Sequence, residues 1–210
     1  MNFNNIISRL FGDNVKIKVY QVLSLHQEGL TGRGLASLIG TSPFKINQVL
    51  RQLEAQGVVQ SSVVGRAHLY RLNVTHILVT TFIVPLLEQE RGFFQRLGEG
   101  IISRLDPHPP LSVILYGSVA RGEGDPNSDL DLLLLYDDSQ DISPKGIIAT
   151  GDRLSEWTSR EYGNPISVRR AYVSDFKRRA QEHDLLIRNI IKEGKRLAGL
   201  SLTEVLNYGP

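Results

Sequence analysis

The sequence predicts a two-part α/β (α+β) protein. A helical N-terminal module closes on a β-hairpin, a helical connector follows, and a C-terminal module holds a small mixed sheet flanked by helices. Three observations predict this. Apolar residues recur at helical spacing up to Leu53 and then give way to two β-like runs, Val58–Ser62 and His68–Leu72. The run Asp106-Pro107-His108-Pro109-Pro110 cannot continue a helix and favours an extended linker. Beyond it, Ser112–Tyr116 and Asp129–Tyr136 read as buried strands, with helical patterns after them.

Composition narrows the class. Of 210 residues, 41% are hydrophobic and 22% charged, the balance of an ordinary globular protein. The absence of cysteine excludes a disulfide framework, thiolate metal sites and thiol catalysis. No basic leader with an apolar core opens the chain, and no run of about 18 apolar residues occurs. The expectation is a cytoplasmic protein with no membrane partner. The net charge of +2 conceals a segregation. Residues 1–75 carry eight Lys/Arg against three Asp/Glu, whereas residues 106–140 carry Arg121 alone against seven acids. Such asymmetry points to different partners for different parts of the chain.

In the N-terminal module, Asp13 is placed to cap a helix bearing Val15, Val19, Val22 and Leu23, which Gly29 ends. A short second helix carries Leu35, Ala36, Leu38 and Ile39 and stops at Gly40. Ser42 and Pro43 then open a third helix, with an apolar stripe of Ile46, Val49, Leu50 and Leu53 and a stop at Gly57. Its other face presents Phe44, Lys45, Asn47, Gln48, Arg51 and Gln52. These side-chain types suit DNA: Lys and Arg for phosphate or guanine, Asn and Gln for adenine edges. Gly65-Arg66 turns the hairpin that follows.

Three helices and a basic-tipped hairpin resemble a winged helix-turn-helix domain of the bacterial and archaeal repressor type. The resemblance is carried by residues 30–36, 53–59 and 65–72. It implies that the helix from Ser42 to Gln56 enters the major groove of double-stranded DNA, with Arg66 at the wing. The DNA-contacting set is then Ser42, Phe44, Lys45, Asn47, Gln48, Arg51 and Arg66. A winged helix used only to bind protein is the competing reading. Residues 76–106 form the connector. Their apolar stripe, from Ile77 to Leu105, serves either a homodimer through residues 76–105 or packing on one of the two domains. Pro85 starts a second helix or kinks a long one.

The acidic segment holds the chemistry. Asp129 and Asp131 stand at i and i+2 at the start of a strand, so both carboxylates project from one face. Like charges so close call for a cation. A hard divalent ion, Mg²⁺ or Mn²⁺, suits oxygen ligands completed by water and substrate phosphates, and a metal pair suits phosphoryl or nucleotidyl transfer. Gly117-Ser118 ends the preceding strand, where backbone N–H groups and a hydroxyl are placed to hold phosphates. Arg121 is suited to phosphate or to a carboxylate of the motif. Rival glycine motifs fail: Glu123 stands where a Walker loop needs Lys, and Asn127 where a dinucleotide fingerprint needs its third Gly.

The order strand, Gly117-Ser118, Ala120-Arg121-Gly122, Ser128-Asp129-Leu130-Asp131-Leu132, apolar strand resembles the nucleotidyltransferase superfamily of DNA polymerase beta, and among its members the minimal nucleotidyltransferases. Residues 107–210 are assigned to that domain, and 1–75 to the winged helix. The resemblance implies Asp129 and Asp131 as catalytic and metal-binding residues. It implies Gly117, Ser118, Arg121 and Ser128 around the nucleotide, with an NTP as substrate or ligand and an unidentified acceptor. It also implies a third carboxylate on a later strand. The candidate strand, Ile166–Tyr172, has none; Ser167 is nearest the expected place. Two functions follow. One is metal-dependent transfer of a nucleoside monophosphate, coupled to a DNA-binding winged helix. The other is transcription regulation by a domain that senses nucleotide without turnover. A minor third is an antitoxin-like partner of another protein. The five histidines lack metal-ligand spacing, and Lys177-Arg178-Arg179 reads as a solvated helix face.

Overall fold

The computed structural model describes residues 6–11, 14–105, 109–125, 128–140 and 144–209. The chain divides into two compact units, Asn5–Gly92 and Phe93–Pro210.

The first unit begins with α1 (Ile6–Phe11) and α2 (Val15–Leu25). Asn14 caps α2, its side chain accepting from the Lys16 N–H at 2.9 Å; Asp13, the expected cap, lies outside the described residues. The helix stops at Leu25, a turn before Gly29, and the chain pairs briefly as β1 (Leu30–Thr31). Thr31 then caps α3 (Gly32–Ile39), accepting from the Gly34 N–H at 3.0 Å. Ser42 caps α4 (Pro43–Ala55), with Pro43 in the first turn where its missing N–H costs nothing. Ile46, Val49, Leu50 and Leu53 are buried, as their spacing demands. On α3 only Leu35 and Ala36 are buried, and Leu38 faces outward. The hairpin of β2 (Val59–Val64) and β3 (Ala67–Leu72) is longer than its apolar runs suggested. All three strands are antiparallel, in the order β1-β3-β2. This sequence of helix, short strand, two helices and hairpin is the winged helix-turn-helix topology. The two-residue β1 has no pattern of its own and takes strand form by its pairing with Tyr70 and Leu69.

The apolar stripe that reads as one connector serves two cores. After β3 comes a π-helical turn, Val79–Ile83, then α5 (Val84–Arg91) with Pro85 in its first turn. Proline cannot donate to the carbonyl four residues back, and the turn before it is the widened one. Val79 is buried in the first unit, with Ile83 and Val84 packed on the same cluster. From α6 (Phe93–Ile102) onward, Leu97, Ile101 and Leu105 belong to the core of the second unit. Ile77, Leu78, Phe82 and Leu86 remain exposed. Of the proline-rich run, Asp106, Pro107 and His108 lie outside the described residues.

The second unit is built on a four-stranded mixed sheet, ordered β6-β5-β4-β7. These are β4 (Ser112–Tyr116), β5 (Leu130–Tyr136), β6 (Ile166–Tyr172) and β7 (Lys195–Gly199). The β5–β6 pair is parallel and the others antiparallel. Helices cover both faces, so β4 and β5 read as near-continuous apolar runs. Leu130, Leu132 and Leu134 enter one core, with α6 and α8 (Pro144–Tyr162). Leu133 and Leu135 enter the other, with α9 (Val173–Gln181), α10 (Leu185–Glu193) and α11 (Leu202–Leu206). Lys177, Arg178 and Arg179 on α9 are engaged by the Tyr208 carbonyl, by Asp175 and Glu182, and by Asp184 respectively. Among the described residues no helix is long and apolar enough to cross a membrane.

Helix α6 lies on β7 through Gly98, where a Cβ would stand 2.6 Å from the Leu197 carbonyl carbon. Backbone cannot yield as a flexible side chain does. Gly98→Ala is therefore expected to lower the unfolding free energy by about 1–3 kcal/mol. Gly151→Ala, where a Cβ meets nothing within 4 Å, should not destabilise. Urea titrations of the two variants against the parent chain measure the difference.

Candidate functional site

The site begins where β4 ends. Tyr116 pairs with Asp131 across the β4–β5 ladder, and the chain then turns into a short helix, α7 (Gly117–Arg121). Gly117 has φ +76°, and a Cβ there would lie well under 3.0 Å from Asp131 Oδ2. Only glycine meets both conditions. The N-cap position, Tyr116, supplies no side-chain hydrogen bond to the helix.

Asp129 lies just before β5 and Asp131 is its second residue, on the face opposite Leu130 and Leu132. Burial first, and the charge of Asp129 second, push the Asp131 carboxyl above the ordinary aspartate range; Arg169 pulls it partly back. The segment before them is braced from outside the motif. The Ser128 hydroxyl accepts from the Asp125 N–H at 2.9 Å, and the fully buried Asn164 donates through Nδ2 to the Ser128 carbonyl at 2.8 Å. Leu130 N–H donates to the Pro165 carbonyl at 2.9 Å. Asn164 and Pro165 thus hold the start of β5 against β6. Sequence reasoning missed Asn164; an amide between a helix-ending Gly163 and a proline is its sole local signal.

Parallel pairing sets Asp131 opposite Ser167, which is exposed. The register thus gives a residue of β6 directly beside the motif, and it is a serine. Arg169, two residues on, shares the face of Ser167 and Asp131. Arg170 points the other way, half-buried and near Tyr136. Arg121 is not directed at the aspartates. Its guanidinium bonds Glu123 at 2.7 Å and Glu193 at 3.2 Å, tying α7 to the end of α10. Gly117 and Asp131 are brought together, with the charge of Asp129 close enough to act on Asp131, while the Ser128 side chain is engaged by Asp125 and Arg121 is held by carboxylates.

The side chains that the ladder and the charges place here, Asp129, Asp131 and Ser167, offer oxygen alone. That chemistry suits a hard divalent ion, and the raised Asp131 carboxyl marks an electrostatic deficit that a cation would relieve. Among the described residues no group of three or more His, Asp or Glu side chains is disposed to hold a metal.

In the first unit, Ser42, Phe44, Lys45, Asn47, Gln48 and Arg51 are all exposed on α4. Phe44, Asn47, Gln48, Arg51 and Gln52 line one shallow concavity. Asn47 also has a packing task, its Oδ1 filling the space where Gly32 lacks a Cβ. Arg66 stands exposed at the hairpin turn, flanked by the exposed Val63 and Val64.

Residues 98–200 match the family model described as nucleotidyltransferase domain. No curated protein matches the chain. Among solved structures, the chain is similar to ZitR of Lactococcus lactis, a zinc-responsive MarR family member, at 21% identity and TM-score 0.31, covering 41% of this chain and 61% of that one. Wild-type ZitR in complex with DNA gives 20% identity and TM-score 0.32, covering 41% of this chain and 60% of that one. MepR, a transcription regulator of the Staphylococcus aureus multidrug efflux pump MepA, gives 20% identity and TM-score 0.35, covering 50% of this chain and 74% of that one. The match thus spans about 60% of the length of the ZitR chains.

Asp131 also has a consequence for stability. Its carboxyl titrates higher in the folded chain than in the unfolded one, so the folded state carries a penalty wherever both states are ionised. Asp131→Asn should therefore unfold at higher urea concentration than the parent at pH 7. As pH falls through the folded value toward the ordinary aspartate pKa, the gain should vanish. Urea midpoints measured from pH 7 to pH 3.5 follow this.

Proposed function

We propose, from the match of residues 98–200 to the nucleotidyltransferase domain model and the winged-helix topology of the preceding unit, that the protein transfers a nucleoside monophosphate from an NTP to an acceptor hydroxyl while its winged helix binds double-stranded DNA. The observation that carries the reading is the convergence of Gly117-Ser118 with the Asp129/Asp131 pair across the β4–β5 ladder.

Each residue has a role in this reading. Asp129 and Asp131 hold a divalent cation, Mg²⁺ or Mn²⁺. When bound, that ion supplies charge neutralisation and polarisation at the phosphates. Gly117 lets the backbone approach the triphosphate, and Ser118 donates its hydroxyl to it. Ser128 shapes the turn that presents Asp129. Arg121, held by Glu123 and Glu193, orients α7. The acceptor oxygen bonds to the α-phosphorus, the bond from that phosphorus to the bridging oxygen breaks, and pyrophosphate leaves. The acceptor proton passes to water, because the position beside Asp131 offers the Ser167 hydroxyl and no carboxylate.

A second reading is favoured by that same serine: the domain binds nucleotide and metal and reports them to the winged helix without turnover. One experiment separates the two. The protein is incubated with α-labelled NTPs, Mg²⁺ and cell lysate, beside an Asp129→Ala/Asp131→Ala double variant. Transfer above the double variant supports the enzyme; nucleotide binding without transfer supports the sensor. If the enzyme reading holds, Ser167→Asp should raise the rate by about 10²- to 10⁴-fold, the usual worth of a positioned base.

The DNA reading rests on the exposed polar face of α4 and on Arg66. Ser42, Phe44, Lys45, Asn47, Gln48 and Arg51 face the major groove in it, and a second copy joined through residues 76–105 supplies the paired half-site. Selection from random DNA should then enrich a two-fold-symmetric site. Arg51→Ala or Gln48→Ala should lose about 1–3 kcal/mol of discrimination at one base position per half-site. An unenriched pool would leave the first unit as a protein-binding module.

A further inference from the structure

We propose that Arg169 occupies the place of a second metal ion, so that the site takes one divalent cation with its nucleotide and uses a fixed guanidinium for the remaining charge on the triphosphate. The inference rests on the metal-and-NTP reading above and deepens it.

The strand register carries the proposal. Asp131 lies opposite Ser167, and Arg169 lies one pleat further along the same face of β6. A diagonal neighbour at that separation is within reach of a long side chain. Arg169 is exposed and makes no hydrogen bond or ion pair with the described residues. Strand β6 is the edge of its sheet. Its neighbour Arg170 cannot take the role, being on the opposite face beside Tyr136.

Ligand chemistry points the same way. A hard divalent ion needs anionic oxygen from the protein. Asp129 and Asp131 supply that for one ion. A second ion beside Asp131 would find on β6 a neutral hydroxyl at Ser167 and then a positive charge at Arg169. Repulsion between that charge and a second cation disfavours its binding. The planar guanidinium is itself a phosphate ligand, with paired N–H donors and a permanent charge. Serine at 167 and arginine at 169 therefore act together: one withholds a ligand from a second ion, and the other supplies a cation that needs none.

Counting bound metal tests this without reference to activity. The full chain is titrated with Mn²⁺, alone and with each of four nucleoside triphosphates made non-hydrolysable between the α- and β-phosphates, and bound Mn²⁺ is counted by electron paramagnetic resonance. The expected result is one Mn²⁺ per chain in the ternary complex. Arg169→Ala should weaken nucleotide binding about tenfold or more, the scale of a lost charged hydrogen bond, and Arg169→Lys should recover part of that. The Ser167→Asp/Arg169→Ala double variant should bind two Mn²⁺. Two Mn²⁺ in the parent chain, unchanged nucleotide affinity in Arg169→Ala, or a count that stays at one in the double variant each overturns the inference. No Mn²⁺ at all in the parent, with or without nucleotide, overturns instead the reading on which it rests.

Discussion

The close approach of Gly117 to Asp131 governs how the second unit is put together. Strand β4 must end where β5 presents its carboxylate, because Tyr116 and Asp131 are paired. The chain must then leave the sheet at once, through a residue that adopts positive φ and has no Cβ to meet the Asp131 side chain. A glycine satisfies both demands, and the turn it makes starts α7 beside Asp131. From that turn the rest follows. Val119 and Ala120 form the buried face of α7, and Arg121 reaches Glu193 at the end of α10. The sheet, a covering helix and the acidic pair are thereby tied to one point.

This arrangement leaves an electrostatic account unbalanced. Asp131 is half-buried beside another carboxylate, and its carboxyl titrates high for that reason. A fold selected for stability alone would place an amide or an apolar residue there. The brace on the other side, from Asn164 to the Ser128 carbonyl, holds the acidic segment in place and so preserves the repulsion. Strain of this kind, kept by buried polar support, is expected where a cationic ligand completes the site.

Much of the fold is legible in the chain because it depends on local rules. The cap at Ser42, the buried stripe of α4, and the two apolar strands flanking the Gly-Ser and Asp-x-Asp elements are written in residue type and spacing. The segregation of charge was legible too: the net +2 conceals a basic N-terminal part and an acidic segment that holds Asp129 and Asp131. Other features had no local signature. Strand β1 exists only because β3 offers an edge to pair with. The single apolar stripe of residues 77–105 has one period, yet its halves are buried in different cores. Arg121 has the chemistry for phosphate but is taken by two carboxylates, one of them 72 residues away.

The candidate site divides in the same manner. The sequence by itself determined that two carboxylates stand two residues apart at the start of an apolar strand, and that a glycine and a hydroxyl precede them. It determined also that the strand after α8 lacks an acid. Only the tertiary structure decided which residue of that strand stands beside Asp131. Parallel register is fixed by core packing on both faces of the sheet and by the hydrogen bonds at Asn164 and Pro165, and a slip of one residue would turn every side chain over. That register puts Ser167 next to Asp131 and brings Arg169, 38 residues from it in the chain, onto the same face.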